Sequence, residues 1–213
     1  MNKKPIWIAA IARGHNAGVC LLKDGEIVFS IEEERLTRQK YDGGPYAAML
    51  KIKEYTDKID YLVIAHTQSL KETAGKVDYT GDDVYTGIAR KFGLISRKEN
   101  LHQHPQVVDF SNIHHKLHAA CAFYRSGFDE AVAVVVDGAG TFIPLTYGNE
   151  QMIGWETESI YDCSYPSNFK TLFKHIGVRG PTAAALIPDF DSSMYNEKGT
   201  HELLITDTAG ITK

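Results

Sequence analysis

Two histidines four positions apart, in Ile113-His114-His115-Lys116-Leu117-His118, are followed by an aspartate, Asp137, that closes the apolar run Ala131-Val-Ala-Val-Val-Val. Residues spaced i and i+4 on a helix project from one face, so His114 and His118 can grip a single cation together. With Asp137 at the end of a neighbouring strand, the set becomes two imidazoles and one carboxylate. That set suits a divalent transition metal and leaves positions open for water or phosphate oxygens. The plainer alternative is a pair of hydrogen-bonded or solvent-facing histidines, and the aspartate favours the metal. His115 points roughly 100° further round the helix, which makes it the weaker ligand and suits it to packing or to supporting its neighbours. A second group with chemical content is the turn Arg13-Gly14-His15-Asn16-Ala17-Gly18, whose glycines let the backbone approach a ligand closely with its amides pointing inward. Taken alone, His15 reads as a turn residue bonded to its own backbone.

The elements that position these residues follow from pattern. Ile6 to Ala12, Gly18 to Lys23 and Glu26 to Glu33 read as three strands, with Asp24-Gly25 as the tight hairpin turn between the second and third. Pro45 to Tyr55 has helical spacing of Ala48, Leu50 and Ile52, and Ile59 to Ala65 is an apolar strand. The stretch from Thr67 to Asp109 is polar and weakly periodic, a surface excursion with one short helix near Val84 to Phe92. Ser111-Asn112 is the expected cap of a helix over Ile113 to Arg125 that stops at Ser126-Gly127. Ala131 to Val136 reads as a strand buried on both faces. Thr141 to Tyr147 and Met152 to Ile160 form a hairpin around Gly148-Asn149, and Asn168 to Ile176 is expected as a short helix. The change from alternating to helical period marks an α/β chain. The charged run Glu32-Glu33-Glu34-Arg35, with Arg38, is expected to be the solvated end of a strand, its arginines pairing with its glutamates.

Composition narrows the field. The chain has 213 residues, 43% of them apolar and 23% charged, with a net charge of -4, as in ordinary globular proteins. No cluster of Lys and Arg is longer than Lys3-Lys4, so a direct grip on nucleic acid or an anionic membrane is not expected. Cys20, Cys121 and Cys163 are odd in number and far apart, which argues against a disulfide framework and against a thiolate zinc knuckle. The apolar N-terminus reads as a first strand, and no apolar run reaches the eighteen residues a membrane span needs, so a cytoplasmic location is expected.

The strand, Gly-His-Asn turn, strand, Asp-Gly, strand opening with Glu32-Glu33-Glu34-Arg35-Leu36-Thr37-Arg38 resembles the start of the carbamoyltransferases that modify nodulation factors, cephalosporins and aminoglycosides. The stretch from His114 through Phe123-Tyr124 and Ser126-Gly127-Phe128-Asp129-Glu130 to Asp137-Gly138 resembles the same family at its metal-binding helix. The two matches occur in order and span most of residues 6 to 160. The resemblance implies an N-terminal domain like the Kae1/TsaD proteins, with an actin-like, ribonuclease-H-like fold that binds ATP and a metal, Fe or Zn. It implies a mixed sheet opening with a three-strand meander. In such enzymes a YrdC-like domain uses carbamoyl phosphate and ATP to form carbamoyl adenylate, and the Kae1-like domain passes the carbamoyl group to an acceptor hydroxyl.

Carried onto this chain, the resemblance assigns His114, His118 and Asp137 to the metal, His15 to the reactive carbonyl and Lys40 to the adenylate or carbamoyl oxygen. Gly14, Asn16 and Gly138 are the expected cofactor contacts. Residues 1–176 would be the N-terminal lobe and 177–213 an irregular segment, with the second lobe and the YrdC-like domain not represented. Asn16 stands where family members usually have Asp, and Gly18 where a small hydroxyl is common. The leading expectation is part of a carbamoyltransferase acting with a complementary protein chain, or as a homodimer, on a small-molecule hydroxyl acceptor or modified nucleoside. The alternatives are a non-catalytic scaffold subunit or relic of the fold, and an actin-like kinase or ATPase, which would leave the paired histidines unexplained.

Overall fold

The computed structural model describes residues 4–14, 16–66, 83–96, 104–147, 150–179 and 200–206. They divide into two compact units, Met1–Asn112 and Ile113–Lys213. No helix among the described residues is long and apolar enough to cross a membrane.

The first unit is a five-stranded mixed sheet in the order β3-β2-β1-β4-β5. Strands β1 (Trp7–Ala12), β2 (Gly18–Lys23) and β3 (Glu26–Glu32) form the expected antiparallel meander. Asp24 and Gly25 both take positive φ, 52° and 91°, the backbone that a two-residue hairpin of this twist requires. On the other side of β1, β4 (Tyr61–Ala65) runs parallel to it, and β5 (Val107–Asp109) runs parallel to β4. Part of the stretch expected as a surface excursion therefore closes the sheet. Three residues are too few to show a period, and β5 exists because Leu62, Val63 and Ile64 offer it a ladder.

Alternation sends Ala9 and Ile11, Val19 and Leu21, and Leu62 and Ile64 to one buried layer. Against it pack Ala48, Met49 and Ile52, from helix α2 (Tyr46–Lys51) and the short 3-10 turn Ile52–Glu54, and Tyr85 and Ala89 of α3 (Val84–Lys91).

The short helix α1 (Glu33–Thr37) corrects one expectation about the charged run. Arg35 does pair with Glu32 and Glu34, at 3.5 and 3.6 Å. Glu33, however, is buried, and its two oxygens accept from the amides of Ala47 and Ala48 at 2.7 and 2.8 Å. It caps α2 from a distance, where Pro45 at the N-cap supplies no side-chain bond of its own.

In the second unit, helix α4 (His114–Ser126) lies on an antiparallel sheet ordered β10-β9-β8-β6. Its strands are β6 (Glu130–Val136), β8 (Glu150–Ser164), β9 (Asn168–Arg179) and β10 (Thr200–Thr206), and β7 (Phe142–Tyr147) also pairs with β8. The β7/β8 hairpin matches expectation, although its Gly148-Asn149 turn lies outside the described residues. Ala119 and Phe123 of α4 pack on Val135, Tyr161 and Cys163. Gly127, at φ 77°, ends the helix in the left-handed cap that the Ser-Gly pair predicts.

Residues 168–176 are strand rather than helix, because Phe169, Thr171 and Phe173 alternate with Lys170, Leu172 and Lys174 and pair with β8. Strand β6 is buried on one face only. Val132, Val134 and Val136 are 63%, 66% and 73% exposed, since α4 covers just the Ala131, Ala133 and Val135 side. The Ser111-Asn112 cap does not form: Ser111 bonds back to Asp109, and Ile113 occupies the N-cap with no side-chain hydrogen bond.

Candidate metal centre

Helix α4 begins at His114, so His114 and His118 face the same way from its first two turns. Their rings meet edge to face, with centroids 4.6 Å apart and planes at 84°. Asp137 follows the last residue of β6, held there by its amide donating to the Thr157 carbonyl at 3.0 Å. Its Oδ1 accepts from the Gly138 amide at 2.7 Å, and its Oδ2 turns toward the imidazoles.

The distances test whether this set fits an ion. His114 Nε2 lies 3.1 Å from Asp137 Oδ2, His118 Nε2 lies 3.7 Å from the same oxygen, and the two Nε2 atoms are 3.0 Å apart. Tetrahedral ligands about 2.05 Å from one metal sit about 3.3 Å from each other, so three donors at this spacing can share one centre. The group thus can hold a metal, with all three ligand atoms inside a 4.8 Å span. His118 is 53% exposed on its side-chain surface, which leaves the site open to solvent on that side.

Electrostatics favours the ligating forms. Burial lowers the pKa of His114, with the neighbouring His118 adding to the effect, and together they outweigh the pull of Asp137. The shift favours the neutral imidazole, the form that ligates a metal. Burial pushes the Asp137 carboxyl up, but the Gly138 amide and the two imidazoles prevail and hold it below the usual carboxylate range.

His115, read from sequence as the weaker ligand, points elsewhere. Its ring is fully buried, Nδ1 lies 2.8 Å from Ser159 Oγ, and Nε2 has no hydrogen-bond partner among the described residues. Gly140 runs directly over that ring: a Cβ at this position would lie 2.4 Å from His115 Cδ2 and Nε2.

The remaining sequence-derived residues fall in two places. Gly138 stands beside the metal-binding group through its bond to Asp137. Gly14, Asn16 and Lys40 belong to the first unit, and His15 lies outside the described residues. Gly14 takes a φ of 103°, donates to the Gly43 carbonyl at 3.3 Å and sits against His66, so its glycine identity has a backbone cause. Lys40 is exposed, its ammonium 5.2 Å from the centre of the Tyr41 ring.

Sequence reading missed Thr141, Glu156 and Lys174, which surround the start of α4. Thr141 Oγ1 accepts from the His114 amide at 3.0 Å, and Glu156 Oε2 accepts from the Thr141 amide at 3.0 Å. Glu156 is fully buried and paired with Lys174. Burial raises its pKa, but the Lys174 ammonium and the Thr141 amide outweigh that and keep it ionised. The available signal was a lone carboxylate on the inward side of an alternating strand, interpretable only once β8 is registered with β9.

No family model matches the chain. It is 29% identical over 173 residues to the uncharacterized protein sll1178 of Synechocystis sp., a match covering 67% of this chain and 27% of that protein. It is 26% identical over 137 residues to the nodulation protein NolNO of Sinorhizobium fredii, covering 60% of this chain and 20% of that protein. The matched stretch is thus a small part of each relative. What the comparisons establish is a distant, partial similarity to NolNO and to an uncharacterized cyanobacterial protein.

Proposed function

We propose that this chain is part of a carbamoyltransferase, moving a carbamoyl group from carbamoyl phosphate, by way of a carbamoyl adenylate made with ATP, to an acceptor hydroxyl. The observation that carries the proposal is the convergence of His114, His118 and Asp137 in a chain similar to a nodulation protein. Those three side chains would hold the metal, Fe or Zn, which when bound supplies positive charge to phosphoryl or carbonyl oxygens. The order β3-β2-β1-β4-β5, a meander with parallel strands on its far side, supports an actin-like lobe for the first unit.

In the transfer step the acceptor oxygen forms a bond to the carbamoyl carbon while the carbon to phosphate-oxygen bond breaks and AMP leaves. His15 is the proposed acceptor of the hydroxyl proton, and Lys40 the proposed contact to the adenylate or carbamoyl oxygen. Gly14, Asn16 and Gly138 are proposed nucleotide contacts.

The reading includes a complementary lobe supplied by another polypeptide segment or chain. In the first unit β1 carries β2 on one edge and the parallel β4 on the other. In the second, β6 pairs only with β8 among the described residues, and its other edge borders a groove of about 490 Å³ flanked by Phe123 and Phe128. A strand parallel to β6 is the occupant that would complete the likeness.

The test combines purified chain, labelled carbamoyl phosphate, ATP, metal, a sugar or nucleoside bearing the acceptor hydroxyl, and the complementary chain. Labelled acceptor that disappears with His114→Ala and His118→Ala supports the proposal. Transfer that is equal in both variants overturns it. A homodimer in solution, in place of a complex with that chain, would refute the complementary lobe.

A further inference from the structure

We propose that Glu156 and Lys174 are positioning residues of the metal centre, acting through Thr141 on the backbone of His114; this rests on the reading of His114, His118 and Asp137 as ligands. Helix α4 starts without a side-chain cap of its own, because Ile113 has none to offer. The first amide of the helix is taken instead by Thr141, four residues beyond Asp137. One short stretch, 137–141, therefore carries the carboxylate ligand at one end and the anchor of the histidine helix at the other.

That stretch is in turn fastened to β8. Gly140 donates its amide to the Glu156 carbonyl at 2.7 Å, Glu156 donates its own to the Thr141 carbonyl at 3.1 Å, and the Glu156 carboxylate takes the Thr141 amide. The other oxygen of Glu156 is held by Lys174 of β9, whose side chain is only 14% exposed. Apolar residues of similar volume fill such a place with equal or better stability, because desolvating an ammonium and a carboxylate offsets their attraction. What apolar residues cannot do is aim a carboxylate at the Thr141 amide. The buried ring of His115 also packs against Gly140, on the side where a Cβ would stand. The backbone that joins the two ligand-bearing elements is thus hydrogen-bonded to Glu156 and packed against His115, and the ion pair sets the spacing between His114 and Asp137.

The test is a titration of the full chain with Co²⁺, reading affinity and the visible absorption bands of the bound ion. Thr141→Val, which keeps the shape and removes the hydroxyl, and Glu156→Gln are each expected to weaken Co²⁺ binding about 10- to 100-fold and to shift the bands. Thr141→Ser is expected to restore both readouts. A purely structural role would lower thermal stability and leave the spectrum of the bound ion unchanged. Binding within about threefold of the parent chain and unshifted bands in both Thr141→Val and Glu156→Gln would overturn the positioning role while leaving the metal reading intact. No Co²⁺ binding by the parent chain would overturn the metal reading and this inference with it. Where Glu156→Gln does not fold, the Thr141 pair decides.

Discussion

Alanine in place of Gly140 puts a methyl group where His115 already is. The added Cβ would stand 2.4 Å from two ring atoms of His115 and 2.8 Å from Cβ of Glu156. Comfortable carbon contacts lie about 3.5 to 4.0 Å apart, so the overlap exceeds about 1 Å on the His115 side. The ring has no free direction, being fully buried and bonded to Ser159. Overpacking of this kind costs about 1 to 3 kcal/mol, and the loss of glycine's unfolded-state freedom returns only about 0.4 to 1 kcal/mol. A net destabilisation of up to about 2.6 kcal/mol is expected, with weaker metal binding because His115 is chain neighbour to His114. Gly138, two residues away, is the internal control: a Cβ there meets nothing within 4 Å. Urea unfolding followed by fluorescence would show a lower midpoint for Gly140→Ala and a midpoint at or above the parent for Gly138→Ala. Equal midpoints for the two alanine variants would refute the reasoning.

Other perturbations reach different parts of the structure. Glu33→Ala leaves the Ala47 and Ala48 amides without their carboxylate and should destabilise the first unit by about 2 to 3 kcal/mol, read as faster hydrogen exchange at those two amides; unchanged exchange would contradict the cap. In the metal-free protein, His114 and His115 have lowered pKa values, so below the ordinary imidazole range the unfolded chain binds protons that the folded chain refuses. Stability should therefore fall as pH drops through about 6.5, and an unfolding midpoint equal at pH 7.5 and 5.5 would contradict this sign. Val134→Lys, on the exposed face of β6, should change the stability of the isolated chain by less than about 0.5 kcal/mol yet weaken association with a complementary chain; association at parent strength would count against a partner that covers this face.

Local signals made half of this structure legible. The meander was readable because Asp24-Gly25 can form only a tight turn with positive φ, and the histidine helix because Gly127 closes it with a left-handed residue. His114 and His118 were readable because helical spacing puts them on one face, and Asp137 because it ends a strand expected to lie beside that helix. Pairings between distant segments were not. Strand β5 depends on the ladder of β4, Glu33 on a helix that begins thirteen residues later, and the strand at 168–179 on a partner whose register the sequence does not print. The exposed face of β6 was hidden for a related reason. A run of valines looks the same whether two layers cover it or one, and the difference lies in the neighbours. Thr141, Glu156 and Lys174 come together only after three strands are aligned.

If two imidazoles and one carboxylate of the second unit converge on a single cation, X-ray absorption at the zinc edge of the zinc-loaded chain will show them directly. The expected spectrum has two imidazole nitrogens and a carboxylate oxygen at about 2.0 to 2.2 Å, with one zinc per chain and loss of the imidazole signal in a His114→Ala, His118→Ala double variant. Sulfur at about 2.3 Å, or an imidazole signal that survives in the double variant, would contradict it.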